Sequence, residues 1–184
     1  MATPDYASDL RALGQALEIL RVERFEIDPD GKSYLVQVLT DQPRRRGDTG
    51  PSGENTVRYI WAGAPDGSRD EAIDTKLLYA MAKTLDLHYS PEEVVRLEQE
   101  WRAQRTDPNG TADPSSLSEL LRTAGGYINN KGVYLLKIRR QERSLVVDYE
   151  TESGEKRQEI LADNDLCQAS LRMLAKRKQH SGLH

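Results

Sequence analysis

The stretch that decides the fold is VYLLKIRRQERSLVVDYET, residues Val133 to Thr151. Apolar residues alternate with other types on both sides of a central Arg-Arg-Gln-Glu-Arg, which predicts two β-strands joined by a tight turn. Residues two apart in a strand share a face. We expect the inward face of this hairpin to be formed by Tyr134, Leu136, Ile138, Leu145, Val147 and Tyr149.

An earlier stretch repeats this pattern at a shift of 111 residues. The shift aligns Phe25, Ile27, Ser33, Tyr34, Val36 and Val38 with Leu136, Ile138, Ser144, Leu145, Val147 and Tyr149. A slip of one residue would turn a strand over, so a shift that keeps inward positions inward favours an internal duplication.

Helical patterns flank both hairpins. Leucines at three- and four-residue spacing predict a first helix over about 8–22, and Ser90-Pro91-Glu92-Glu93 predicts the start of another. Ser68 and Glu71 predict the start of a helix with Ile73, Leu77, Met81 and Leu85 on one face. A further helix begins near Ser116, and we expect Gly125-Gly126 to end it before a turn at 129–132. A last helix starts at Asp163 or Asn164 and runs to about 177, with Leu166, Ser170, Leu171 and Leu174 inward.

These patterns together predict an α+β fold made of duplicated αβββα units, related by a pseudo-twofold internal repeat. The first unit spans 1–89, a connector helix with a turn-rich linker spans 90–112, and the second unit spans 113–184. The strands would form two antiparallel sheets, or one six-stranded sheet in which the halves pair, with the helices packed on one face.

Composition narrows the function classes. The 26 Lys and Arg against 30 Asp and Glu give a net charge of -4, so any site for nucleic acid must be local. The single cysteine, Cys167, forms no intramolecular disulfide, which fits a reducing compartment. The sequence has neither the pattern of a secretory signal nor an apolar run of about 20 residues, and we expect a cytoplasmic protein without membrane attachment.

No catalytic pattern emerges from the sequence. Its three histidines, at 88, 180 and 184, lie after a predicted helix or near the C-terminus, and its carboxylate pairs lie at predicted turns and helix starts. We therefore expect no enzyme activity, no cofactor and no metal site.

Basic clusters are the candidate partner-binding residues. The second hairpin contributes Lys137, Arg139, Arg140 and Arg143, with Lys131 nearby. The last helix contributes Arg172, Lys176, Arg177 and Lys178, and a Gly- and Pro-rich loop over 41–55 contributes Arg44, Arg45 and Arg46. Two interpretations remain open, because such cations bind phosphate backbones but also stabilise helix ends and protect strand edges.

Apolar residues on the predicted outer face favour a protein partner or self-association. They are Leu35, Leu39, Ile60, Val133, Leu135 and Val146. We therefore expect a non-catalytic protein-binding, adaptor or chaperone-like regulatory module, with nucleic-acid binding through the basic hairpin tip and C-terminal basic helix as the alternative.

The αβββα order resembles in topology the double-stranded-RNA-binding domain, and it is also similar to small bacterial secretion-chaperone and adaptor folds. The RNA-binding family has a basic run where its second helix starts. Here the two corresponding stretches are Ser68-Arg69-Asp70-Glu71 and Asn164-Asp165-Leu166-Cys167, with an acid in both. Acids at a helix start disfavour phosphate, so this resemblance implies the topology more than the RNA site.

Overall fold

The structure, a computed structural model, describes residues 5–31, 33–38, 56–60, 75–85, 87–105 and 113–181. The helices are α1 (Tyr6–Ile19), α2 (Thr75–Thr84), α3 (Pro91–Arg105), α4 (Leu117–Lys131) and α5 (Asp163–Ser181). The strands are β1 (Phe25–Asp30), β2 (Ser33–Val38), β3 (Thr56–Ile60), β4 (Tyr134–Gln141), β5 (Ser144–Glu150) and β6 (Lys156–Ala162). The predicted α+β class is confirmed.

All strands belong to one antiparallel sheet in the order β3-β2-β1-β4-β5-β6. Of the two predicted arrangements, the single sheet is therefore the one that forms. The join between its halves is short: Glu26 lies opposite Arg139, and Ile27 lies opposite Ile138. Ile27 and Ile138 are fully buried and are 111 residues apart.

The helices pack against one face of this sheet, and α1 with α4 is the most closely packed helix pair. Two glycines allow this approach. A Cβ added at Gly14 would lie 2.6 Å from Cα of Ser118, and one added at Gly125 would lie 2.5 Å from the carbonyl oxygen of Tyr6. Glycine is therefore required at both crossing points, because any larger residue would separate the helices.

The expectation that Gly125-Gly126 ends a helix is wrong. Helix α4 continues through both glycines to Lys131 and ends at Gly132, which is left-handed with φ 64°. The predicted turn over 129–132 is thus mostly the last helical turn. Gly125 is present because the α1 backbone crosses there, and this contact is not visible in the sequence near it.

The predicted faces of β4 are also wrong at its start. A β-bulge between Leu135 and Lys137 shifts the register. Leu135, expected outward, is 4% exposed in the core, whereas Tyr134 and Leu136, expected inward, are 55% and 36% exposed. The bulge also breaks the predicted equivalence of Phe25, which is buried, with Leu136.

Several of the apolar residues predicted on the outer face are instead buried or half-buried. Val146 is 3% exposed between its cross-strand neighbours Arg139 and Ile160, and Val133 packs against the core. Leu39 and the side chain of Ile60 lie outside the described residues.

Other predicted elements are confirmed with shifted ends. Helix α1 begins at Tyr6, where Asp5 accepts a hydrogen bond from the Ser8 N–H. Helix α3 starts with a reciprocal capping box between Ser90 and Glu93 and buries Val94 and Leu97.

Helix α5 buries Leu166 and Ser170 as expected, but Leu171 is 43% exposed rather than inward. The loop over 41–55, with Arg44, Arg45 and Arg46, lies outside the described residues, as do the stretch 68–71 and most of the linker. The unit boundaries at 89/90 and 112/113 stay a prediction. Among the described helices, none is long and apolar enough to cross a membrane.

Candidate binding groove

Most cations of the second hairpin are paired with carboxylates of the same chain. Lys137 Nζ lies 2.5 Å from Glu26 Oε1 and 3.7 Å from Asp28 Oδ1. Arg139 lies 3.5 Å from Asp148. Because both side chains have carboxylates nearby, they present little unbalanced charge to a partner.

Arg140 is held more firmly. Its two Nη atoms donate to the two carboxylate oxygens of Asp163 at 2.5 and 2.8 Å, and its side chain is 15% exposed. Bidentate pairs of this kind fix geometry as well as charge. The pair ties the hairpin tip to the first residue of α5.

Lys131, the last residue of α4, belongs to a polar cluster around Glu159. Glu159 accepts hydrogen bonds from Lys131, from the Tyr127 hydroxyl at 2.5 Å and from the Tyr149 hydroxyl at 2.6 Å. The Lys131 ammonium also lies 4.7 and 4.8 Å from the centroids of the two tyrosine rings. Hydrogen bonds from Lys131 and the tyrosines lower the pKa of Glu159 to about 2, and the bond to Glu159 raises the pKa of Lys131.

Other candidate cations within the described residues lie on α5. Arg172, Lys176 and Arg177 are exposed along the helix, and the side chain of Lys178 lies outside the described residues. None of the three lines the groove described next.

A groove lies between the end of α1, the start of α4 and the β4–β5 turn, with a volume of about 1280 Å³. Half-buried Leu117 and the largely buried Val22 supply its apolar surface. Its lining residues are Leu17, Glu18, Arg21, Val22, Glu23, Arg24, Leu117, Arg140, Gln141, Glu142, Arg143 and Ser144. The groove therefore combines an apolar base with charged walls.

One wall is formed where α1 ends in a Schellman motif. The Arg21 N–H donates to the Glu18 carbonyl at 3.0 Å, and the Val22 N–H donates to the Leu17 carbonyl at 2.9 Å. Arg21 occupies the left-handed position of this motif, with φ 55°. Glycine is the usual residue there, because a Cβ makes this conformation unfavourable.

The opposite wall is the β4–β5 turn. Gln141 pairs with Ser144, so Glu142 and Arg143 form a two-residue turn. Of these two residues only Glu142 has a positive φ, 44°. Two-residue hairpin turns that need a positive φ at the first position favour glycine there. The turn is anchored, since the Arg143 carbonyl accepts the Asp163 N–H at 3.0 Å.

Both left-handed residues have glycine 111 residues away. Gly132 ends α4 with φ 64°, as Arg21 follows α1. Gly31 is the first residue of the β1–β2 turn, also with φ 64°, as Glu142 is in the β4–β5 turn. Among the described residues, Arg21 and Glu142 are the non-glycine residues with positive φ, and both line the groove.

The charges lining the groove differ in how they are satisfied. Glu18 accepts from Trp101 Nε1 at 2.7 Å, Arg105 Nη2 at 2.6 Å and the Ser118 N–H at 2.7 Å. Within the part of the chain that the structure describes, no ion pair involves Glu23, Glu142 or Arg143. These three exposed groups are therefore available to a ligand.

Sequence reasoning found only part of this groove. It singled out Arg140 and Arg143, and it placed Lys137, Arg139 and the α5 cations in the same candidate surface, which the structure does not bring to the groove. It missed Arg21 and Glu142. The signal was present, because the 111-residue shift aligns both with glycines, but a left-handed residue cannot be recognised before the turn types are known.

No cluster of three or more His, Cys, Asp or Glu residues suited to a metal ion occurs in the described ranges. Comparisons of the chain with known protein-family models, with curated proteins and with solved structures find no match.

Proposed function

We propose that the chain is a non-catalytic protein-binding module, an adaptor or chaperone-like regulator, whose partner binds in the groove between α1, α4 and the β4–β5 turn. The observation that carries this proposal is the pair of strained residues, Arg21 and Glu142, on its two walls. Backbone strain that persists in a folded protein is concentrated at functional sites.

The dimensions and surface chemistry of the groove favour a peptide segment. Its volume of about 1280 Å³ exceeds the range of about 300–1,000 Å³ typical of small-molecule sites. A peptide suits a groove with an apolar base and charged walls, because an apolar side chain can pack on the base while polar groups contact the rim.

Ion pairing within the second hairpin supports a protein partner over nucleic acid. A phosphate backbone would have to displace Glu26 and Asp28 from Lys137 and Asp163 from Arg140, and the latter pair is only 15% and 24% exposed. Breaking such a pair leaves the carboxylate without its partner, which offsets much of the gain from counterion release.

We also propose that the two halves arose by an internal duplication. Several structural features recur at the 111-residue shift. They are the crossing glycines Gly14 and Gly125, the left-handed positions 21 and 132, the left-handed positions 31 and 142, and the paired, buried residues Ile27 and Ile138. Glu18 and Asn129 are also aligned, and each accepts a backbone N–H at the start of the other helix.

Selection of peptides from a random displayed library on the full chain tests the proposed function. Selected peptides should lose binding to Arg143→Glu and to Leu117→Arg, which change the rim and base of the groove. They should keep binding to Arg157→Glu, an exposed change at the β5–β6 end of the sheet. Selected peptides that bind all three variants equally would place the binding surface elsewhere.

The alternative is nucleic-acid binding, favoured by the exposed cations of α5 together with Arg143. It predicts salt-sensitive binding to RNA or DNA that the double change Arg139→Glu and Arg140→Glu abolishes. Absence of binding by the wild-type chain at low salt would rule it out.

A further inference from the structure

We propose that Arg21 and Glu142 are the specificity-determining residues of the groove, and that its occupant is a peptide segment carrying both an acidic and a basic side chain. This inference rests on the proposed function and names the partner class of the same site. It differs from the proposed function in assigning recognition to two residues that sequence reasoning did not single out.

The fold does not need the side chains of Arg21 and Glu142. Gly132 and Gly31 form the corresponding helix end and hairpin turn in the other half with the same left-handed backbone. A Cβ at Gly31 or Gly132 would meet nothing within 4 Å, so the fold places no steric demand on either position. Glycine at 21 and 142 would relieve the strain without loss of packing.

Contacts within the described part of the chain do not offset the backbone strain at these two residues. Glu142 has no described hydrogen bond or ion pair. Arg21 Nη2 lies 2.8 Å from Glu100 Oε2, but the two side chains are 61% and 39% exposed, and Glu100 also binds Arg96 at 3.0 Å. Exposed ion pairs of this kind contribute little to stability.

The charges of Arg21 and Glu142 indicate which side chains an occupant of the groove would carry. Arg21 lies on the α1 wall and Glu142 on the turn wall, so the strained positions present one positive and one negative group to the same space. A segment that places a carboxylate near Arg21 and a cation near Glu142 would satisfy both at once. An apolar side chain between them would lie on the base formed by Val22 and Leu117.

The experiment uses fluorescein-labelled synthetic peptides in a Gly-Ser background. Each carries one leucine between one glutamate and one lysine, with spacings of one to five residues between the two charged positions. Binding to the full chain is measured by fluorescence anisotropy, and thermal unfolding of each variant is measured in parallel. The variants are Arg21→Gly, Glu142→Gly and Glu142→Lys, with Arg157→Gln as the matched surface control.

We expect at least one spacing to bind. Both glycine variants should bind it at least 10-fold more weakly and yet unfold at a higher temperature than wild type. Glu142→Lys should regain affinity for the peptide in which glutamate replaces the lysine, and Arg157→Gln should bind like wild type. Loss of binding with a gain in stability separates recognition from a structural role, which would lower both.

Two results would overturn the inference: no spacing binds the wild-type chain, or the glycine variants bind as tightly as wild type. If peptides selected from the random library still require Arg143 and Leu117, only the charge assignment fails and the proposed function stands. If no selected peptide depends on the groove either, both fail.

Discussion

The β1–β2 turn has Gly31 at its first position, and the β4–β5 turn has Glu142 there, both with a positive φ. The ends of α1 and α4 differ in the opposite sense, with Arg21 in the first half and Gly132 in the second. Of these four left-handed positions, each half therefore has one occupied by glycine and one occupied by a residue with a Cβ. Only the two without glycine line the groove, and the proposed function attributes this difference to the binding site rather than to the turn type.

Each half contributes one glycine, Gly14 or Gly125, to the α1–α4 crossing. Substitutions that disturb this crossing should have the largest effect on stability. We expect Gly125→Ala to lower the free energy of unfolding by about 2–3 kcal/mol, because its Cβ would overlap the Tyr6 backbone. Gly14→Ala should cost a similar amount, since its Cβ would overlap the Ser118 backbone. Chemical denaturation measures both.

Gly126→Ala is the matched control, because a Cβ there meets nothing within 4 Å. It should gain about 0.5–1 kcal/mol from the better helix propensity of alanine. Equal effects at 125 and 126 would mean that the helices do not cross as described.

Glu18 and Asn129 each accept a backbone N–H from the first turn of the other helix, but only Glu18 is charged. Glu18 accepts three short hydrogen bonds, whereas Asn129 accepts the Tyr6 N–H at 3.3 Å and donates to Asp5 at 3.2 Å. We expect Glu18→Ala to cost about 2 kcal/mol and Asn129→Ala about 1 kcal/mol, since hydrogen bonds to a charged group are stronger. Similar losses in urea unfolding would contradict this difference.

Exchanging the turn residues tests the strain directly. Glu142→Gly should raise the free energy of unfolding by about 1 kcal/mol, and Gly31→Glu should lower it by about 1 kcal/mol, because each change removes or adds one left-handed residue with a Cβ. The double variant should resemble wild type if the two turns are independent. A loss of stability in Glu142→Gly would show that its side chain supports the fold.

The polar cluster of Glu159 has an apolar counterpart in the first half, where Ala16, Leu20 and Val38 align with Tyr127, Lys131 and Tyr149. The pKa of Glu159 is lowered to about 2 from 4.5, chiefly by Lys131. A carboxyl group whose pKa is lowered on folding stabilises the fold at any pH above the pKa it has in the unfolded chain. For Glu159 this contribution is lost as the pH falls from about 4.5 to about 2.

Glu159→Gln should therefore be less stable than wild type at neutral pH, by about 1 kcal/mol or less because the ion pair is partly exposed, and the difference should narrow toward pH 2. Thermal unfolding across this range measures it. Glu152→Gln, at an exposed turn, is the control and should show no such narrowing. A pH-independent difference at Glu159 would contradict the cluster.

Local patterns were sufficient to predict much of the fold. Alternation placed the hairpins, and capping residues placed the starts of α3 and α4, because these signals act within a few residues of the chain. The sheet order followed from neither, since the pairing of Ile27 with Ile138 is a long-range contact. The bulge at 135–137 was also missed, because its cause does not lie in the alternation itself.

The candidate site was harder to predict. Arg140 and Arg143 were found by charge, but charge alone also selected Lys137 and Arg139, whose partners Glu26 and Asp148 lie on other strands. Arg21 and Glu142 are ordinary surface residues in the sequence. Only the backbone conformation distinguishes them, and it depends on the turns in which they lie.

The most direct test of the groove as the binding site is an NMR titration of the full chain with a peptide selected from the random library. Our account predicts that the backbone amide and arginine side-chain signals of Arg21, Arg24 and residues 141–144 shift together and saturate at one affinity. Shifts confined to the outer face of the sheet or to α5, with these signals unchanged, would contradict it.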